Sequence, residues 1–480
     1  MSEPSGTQSL YAAREPVFPR RVSGRFRTLK WGLMVATLSI YYITPWLRFD
    51  RGPELPDQAV LVDLANRRFF MFWIEIWPHE FYFVAGLLIM AGIGLFLFTS
   101  ALGRVWCGYA CPQTVWTDLF ILVERWTDGD RNARIRLWNR KWDLDKIWRR
   151  ALKWVIWLII GVLTGGAWVF YFADAPHLAY ALVTLSAPAV AWISIGILTL
   201  TTFIFGGFMR EQICIYMCPW PRIQAAMMDE DTLTIGYRER RGEPRAKHQR
   251  QLDASQHGDC IDCGACAAVC PVGIDIRDGQ QMQCITCALC IDACDDVMKK
   301  VGRPTGLIDY FALSDVEREK NGDTPRPAWR HILRPRTILY TIMWAGIGLV
   351  LVYGLFIRAE FEFSVSPVRN PVYVTLSDGG IRNIYELRLR NKTAQSVSVR
   401  LGVDSAGAMP ADKITLSLNG AEQPIVRIKA DATYQQRVYL HAPPDSPAAG
   451  LHASPVTFWI APEGSDQKVY VSSIFNGAGK

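Results

Sequence analysis

The chain has 480 residues, enough for several domains; half are hydrophobic and only 20% are charged. A net charge of +7 with no nucleic-acid-binding motif argues against a nucleic-acid partner. The hydrophobic residues are unevenly spread, which points to membrane spans rather than one large soluble core.

Residues 1–30 read as a polar, Arg-rich leader with no cleavable signal pattern, mobile to about residue 25. Five segments are long and apolar enough to span a bilayer as helices: 31–47, 81–102, 154–173, one within 178–208, and 337–357. The fourth contains Pro188 and is expected to begin there or to kink there. Lys and Arg set the orientation. Six lie in the leader and ten in residues 103–150, but none in the turn 173–178. The expected plan is a cytoplasmic leader 1–30 and spans one to four within 31–208, with a cytoplasmic loop 103–153. A cytoplasmic loop 209–336, a fifth span 337–357 and a periplasmic domain 358–480 follow. The expected home is the bacterial cytoplasmic (inner) membrane.

All twelve cysteines fall in four clusters on, or at the edge of, the expected cytoplasmic side. Cys107/Cys111 follows span two and Cys214/Cys218 follows span four, each as C-x3-C-P. Residues i and i+4 share a helix face, so each pair can present two sulfurs together. The proline after each pair stops or bends the helix. Both pairs lie at similar depth and can converge on one four-sulfur site. Thiolates there suit Cu(I) or incoming copper, and equally a third iron–sulfur cluster; reactive or structural thiols are the plainer alternative.

Cys260, Cys263, Cys266 and Cys270 read C-x2-C-x2-C-x3-C-P, and Cys284, Cys287, Cys290 and Cys294 repeat the spacing. This is the bacterial two-cluster ferredoxin pattern, in which the fourth cysteine of each run serves the other cluster. One [4Fe-4S] cluster is thus expected on Cys260, Cys263, Cys266 and Cys294, the other on Cys284, Cys287, Cys290 and Cys270. Zinc sites space their cysteine pairs more widely, and disulfides cannot easily link cysteines this close in sequence. A ferredoxin-type α+β domain is expected over about 250–300. His79, His177, His248 and His257 are read as structural rather than as ligands. No dinucleotide fingerprint follows a strand, so the electron donor is expected to be another protein.

From about Phe361 the hydrophobic period becomes two. Strands are expected over 372–376, 385–390, 396–403, 414–418, 425–428, 434–440, 456–460 and 468–472. Asp378-Gly379, Asn419-Gly420 and proline-rich turns divide them. About 120 such residues read as an all-β, immunoglobulin-like sandwich whose role is docking.

Several stretches together resemble the FixG/RdxA/CcoG family of cytochrome c oxidase accessory proteins. They are GRVWCGYACPQTVW (103–116), ERWTDGDRNAR (124–134), FMREQICIYMCPW (208–220), the two cysteine runs (259–279 and 284–298) and VYVTLSDGGIRNIYELRLRNK (372–392). The resemblance implies a membrane ferredoxin that reduces Cu(II) to Cu(I) for a haem–copper oxidase, near a copper-transporting P-type ATPase. Cys107, Cys111, Cys214 and Cys218 are then the candidate catalytic and metal-binding residues, with copper as substrate or bound ion. An electron relay, or a redox-signalling or assembly scaffold without copper chemistry, is the alternative.

Overall fold

The computed structural model describes residues 16–52, 55–246, 257–321, 323–358, 361–393, 395–405, 414–418, 424–429, 432–464 and 468–479. His248, the Asn419-Gly420 turn and the leader before residue 16 lie outside them, as does the side chain of His79. The chain divides into two compact units: residues 1–47 with 58–351, and residues 48–57 with 352–480.

In the first unit, four helices among the described residues are long and apolar enough to cross a membrane. They are Tyr82–Leu102, Leu144–Val169, Ala189–Met209 and Pro335–Phe356. The third of these starts where Pro188 stands as N-cap, and its last turns, Phe203–Met209, are π-helical. A separate short helix, Ala175–Val183, precedes it, and Leu185 at φ +57 makes the break. The helix expected from residue 154 begins at Leu144, because Asp143 accepts the Lys146 N–H at 2.9 Å and caps it early.

The expected first span, 31–47, is not among the four. Its helix runs Arg25–Ile43, and a 3-10 turn Thr44–Trp46 follows. Only Trp31–Ile43 is uncharged, about 20 Å at 1.5 Å per residue and short of the ~30 Å bilayer core. Its basic end docks instead. Arg27 Nη1 meets Asp118 at 2.9 Å, and Asp292 accepts the N–H groups of Phe26 and Arg27 at 3.3 and 2.8 Å. A carboxylate at a helix N-terminus satisfies orphan donors and the helix dipole together. The leader is therefore not mobile as far as about residue 25. From Pro16 onward it lies along this unit, with Arg20 N bonded to Ala268 O at 2.8 Å and Arg21 N to Asp130 at 3.0 Å.

The cysteine-rich insert is wider than about 250–300. Thr234–Tyr237 and Ile308–Phe311 pair antiparallel at its base. The helices Ala265–Val269 and Leu289–Lys300 pack over a core of Ile235, Ile276, Ile291, Met298 and Ile308. Between the helices Arg25–Ile43 and Tyr82–Leu102, the strands Val60–Asp63, Arg68–Met71 and Ile74–Ile76 form a small sheet that no sequence signal announced.

The second unit is a two-sheet sandwich, antiparallel throughout. One sheet orders Thr415–Leu418, Thr433–Ala442, Ile381–Asn391 and Phe361–Pro367, with Val374–Thr375 also on Ile381–Asn391. The other orders Ile425–Ile428, Val397–Ser405, Ser454–Pro462 and Val469–Phe475. Alternate residues of Ile381–Asn391 point inward, as period two requires. Tyr385, Leu387, Val438, Val399, Val456 and Phe458 fill the core. Tyr385 also donates to Ile474 O at 2.8 Å, so its buried hydroxyl is satisfied. Phe361–Pro367 is a strand additional to those expected.

Candidate functional site

All twelve cysteines are free thiols. The two ferredoxin-type runs fold as structural repeats of one another. Two and four residues after the first cysteine of each run, the backbone turns left-handed: Asp262 (φ +50) and Gly264 (+63), then Thr286 (+56) and Ala288 (+61). Three of these four are not glycine, so each costs about 1–3 kcal/mol unless the surroundings impose it. Backbone N–H groups around the runs lie against several of the sulfurs. Ala267 donates to Cys266, Val272 and Ile274 to Cys270, and Thr286 to Cys284.

The sulfurs sort into two sets. Cys294 lies among Cys266, Cys263 and Cys260; Cys270 lies beside Cys287 and Cys284, which with Cys270 are the leading neighbours of Cys290, ahead of Cys266 from the other set. Each run therefore lends its fourth cysteine to the other's neighbourhood. Burial pushes Cys294 and Cys270 up to about 12 and Cys266 and Cys284 to about 11, so these thiols stay protonated unless a metal replaces the proton. Among the described residues no three His, Cys, Asp or Glu side chains are placed to hold a single metal ion. Two thiolates on one zinc ion stand about 3.8 Å apart, from Zn–S bonds of about 2.3 Å; a four-iron group needs them farther apart. Four cysteine sulfurs in each set, amide donors aimed at them and a buried setting fit four-iron clusters.

The C-x3-C-P pairs also form a repeat. Cys111 N bonds Trp106 O at 2.9 Å, and Cys218 N bonds Ile213 O at 2.8 Å, both five residues back. The pairs are thus closed by π-type turns, not by the α-helical i, i+4 face expected from spacing. Each proline then opens a new helix, Pro112–Asp128 and Trp220–Met227. Gln113 ties the halves together, donating to Phe205 O and Arg210 O at 2.9 and 3.2 Å, just before Cys214. As a result Cys107 has Cys111 and Cys218 as neighbours, and Cys214 has Cys111, Cys107 and Cys218. The structure brings these four together. Burial pushes Cys214 up to about 12.

Three residues that spacing did not single out complete this site. Gln224, fully buried, accepts the Cys107 thiol proton at 3.1 Å. Arg104 reaches the carbonyls of Met282 and Cys284 (the latter at 3.0 Å) while its charge eases ionisation of Cys107, Cys214 and Cys284. Gly108 matters most. A Cβ there would stand 2.6 Å from Ile285 O and 3.0 Å from Cys287 Cα. The turn holding Cys107 therefore lies directly against the loop holding Cys284 and Cys287, and Tyr109 Oη donates to Cys287 O at 3.1 Å. A glycine between two cysteines was the available signal, since close backbone approach is one of the few reasons to place it there. His257 lies near Cys260 in sequence, and neither it nor His177 joins a sulfur set.

Apolar spanning helices, a two-cluster cysteine fold and a β-sandwich define a membrane-associated iron–sulfur redox protein. Residues 209–313 match the 4Fe-4S dicluster domain, 83–128 a 4Fe-4S binding domain, and 351–478 the IG-like fold at the C-terminus of FixG. The chain is 62% identical to protein RdxB of Cereibacter sphaeroides over 98% of both chains, and 63% identical to RdxA of the same organism over 94% of this chain and 93% of that one. It is 56% identical to the nitrogen fixation protein FixG of Rhizobium meliloti over 84% of this chain and 81% of that one. The protein belongs to the FixG/RdxA family.

Proposed function

We propose that this protein is a metal reductase of the inner membrane that converts Cu(II) to Cu(I) for assembly of a haem–copper cytochrome c oxidase. The observation that carries this reading is the Gly108 contact, which sets a four-thiol site against the loop of Cys284 and Cys287. Bound four-iron clusters would supply one-electron storage. Cu(II), the substrate, gains one electron, and a partner protein of the redox class loses one. Cys107, Cys111, Cys214 and Cys218 bind copper, and soft sulfur favours Cu(I) over Cu(II), which adds driving force. Arg104 offsets the thiolate charge, and Gln224 receives or returns a hydrogen bond at Cys107.

The Lys/Arg distribution supports a cytoplasmic insert and a periplasmic sandwich. In this reading the uncharged part of Arg25–Ile43, about 20 Å, and the 3-10 turn Thr44–Trp46, about 6 Å more, together make a short fifth crossing, and the odd number puts the two termini on opposite sides. Oxidase assembly factors and a copper-transporting P-type ATPase are the partners this role requires. A reporter fused after residue 480 should behave as periplasmic and one near Arg241 as cytoplasmic; a shared side would remove the fifth crossing.

The reductase reading is tested by replacing Cys107, Cys111, Cys214 and Cys218 with Ser. Cupric reductase activity should vanish while the insert's iron–sulfur spectrum stays. Survival of copper reduction would mean that these four cysteines are not the copper site, whereas wild-type protein that reduces no copper would leave an electron relay or scaffold as the function. A second reading has its own support: the 4Fe-4S binding match covers Cys107 and Cys111. Under it the pairs hold a third cluster, and about four irons disappear with the four cysteines.

A further inference from the structure

A cavity of about 510 Å³, with no cysteine in its lining, opens at the charged end of the span Leu144–Val169. Trp154, Trp157 and Phe208 line its apolar side and belong to two spans. Its polar side carries a buried ionic cluster. Glu124 binds Arg134 at 3.2 Å, Lys153 at 3.2 Å and Arg210 at 2.5 Å, and Lys153 also binds Asp128 at 2.7 Å. With Lys146 and Arg150 added, five cations line the cavity against the three carboxylates of Glu124, Asp128 and Glu211.

Two of those cations have capacity left over. Arg134 is buried, yet its Nε has no hydrogen-bond partner among the described residues. Arg150 makes no ion pair among them; its guanidinium lies 5.5 Å over the Trp138 ring, and Lys146 Nζ lies 5.0 Å over that of Trp142. Trp138 and Trp142 are 50% and 67% exposed, the amphipathic rings that settle at headgroup depth.

We propose that this cavity is a binding site for an anionic phospholipid, its phosphate held by Arg150 and the Arg134 guanidinium and its chains lying along Trp154 and Phe208. A surplus of positive charge and an unmet donor call for an anion with acceptor oxygens, and basic pockets between membrane helices suit such headgroups. The apolar wall formed by two spans distinguishes a lipid from free phosphate. The site stands apart from the copper reading, and a lipid-free result would leave that reading untouched.

The test uses the full chain, with its clusters, in nanodiscs of phosphatidylglycerol and phosphatidylcholine. Phosphatidylglycerol should be retained through purification and seen by native mass spectrometry. Brominated phosphatidylglycerol should quench tryptophan fluorescence more than brominated phosphatidylcholine. Arg150→Gln should weaken phosphatidylglycerol retention about fivefold, the worth of one basic residue near an anionic headgroup. Arg136→Gln, exposed and outside the cavity, should change it less than twofold. An unchanged iron–sulfur spectrum shows that both variants fold. Equal retention in wild type and Arg150→Gln, or an equal loss in Arg136→Gln, overturns the site. So does inorganic phosphate binding as tightly as the lipid, and so does quenching by the two brominated lipids to the same extent. Co-purification of an isoprenoid quinone in place of phospholipid would assign the cavity to a different ligand.

Discussion

The insert and the membrane-edge pairs are both cysteine repeats, but they treat sulfur differently. In the insert, backbone N–H groups lie against Cys266, Cys270 and Cys284. At the membrane edge, π-type turns close the pairs, and Cys107 finds side chains, Gln224 and Arg104. Backbone donors are fixed by the fold and suit a group that stays. Side-chain donors can turn: Gln224 can accept from a thiol or, rotated, donate to a thiolate. The contrast teaches that one chain builds a sulfur site with fixed donors and another with an adaptable donor, although the two share a C-x3-C step.

The strongest way to break the comparison is inside the insert. Cys270→Ser should remove the cluster held with Cys284, Cys287 and Cys290, about four of about eight irons, and spare the set of Cys260, Cys263, Cys266 and Cys294. Iron analysis with electron paramagnetic resonance reads this directly, and loss confined to the other set would undo the crossing. Gly108→Val comes next. It places side-chain atoms against the backbone of Ile285 and Cys287, which cannot yield as a flexible side chain would. Overpacking of this kind costs about 1–3 kcal/mol and would part the two sites. Copper reduction should fall with iron content unchanged, and Gly108→Ala should be intermediate. Unaltered turnover in Gly108→Val would show that the contact does not serve the reaction.

A smaller effect is expected where the N-terminal helix docks. Asp292→Asn keeps an acceptor for Arg27 N but removes the charge at the helix end, for about 1 kcal/mol. Burial alone would raise Asp118, yet Lys30 and Arg27 hold it below the usual carboxylate range, so the second anchor of this helix persists to low pH. Faster proteolysis within residues 16–24 is the readout, and an unchanged rate would relieve Asp292 of this role.

Much of this was legible from spacing. The eight insert cysteines, the break at Pro188 and strands such as Ile425–Ile428 each rest on a local rule that the tertiary structure did not override. The misses have a common cause. Arg27 and Lys30 belong to the helix Arg25–Ile43 because Asp118 and Asp292, far away in sequence, take up its charge and its N–H groups. Thr234–Tyr237 is a strand because Ile308–Phe311, also distant, pairs with it. Gln224 and Arg104 became visible only once their neighbours were placed, whereas Gly108 carried a local sign.

Proton affinity is high in both sulfur sites, with Cys270 and Cys294 of the insert also pushed up to about 12. Cys214 is pushed up to about 12, first by burial and then by Cys111, Cys107 and Cys218. Arg104 offsets part of that, while Thr286 helps to hold Cys284 at about 11. In metal-free protein a thiol raised in the folded state favours folding below its unfolded value of about 8.5–9, and that contribution is lost as pH climbs toward about 12. The folded state binds the extra proton over that window, so stability must fall with rising pH, not rise. A bound metal removes the proton and with it this dependence. Site-resolved alkylation of metal-free protein by iodoacetamide should therefore climb at Cys214 from pH 8 to pH 10 without levelling near 9, because the thiolate is the nucleophile. A plateau near pH 9 would mean that water reaches Cys214 freely and that the membrane-edge site is more open than its burial implies.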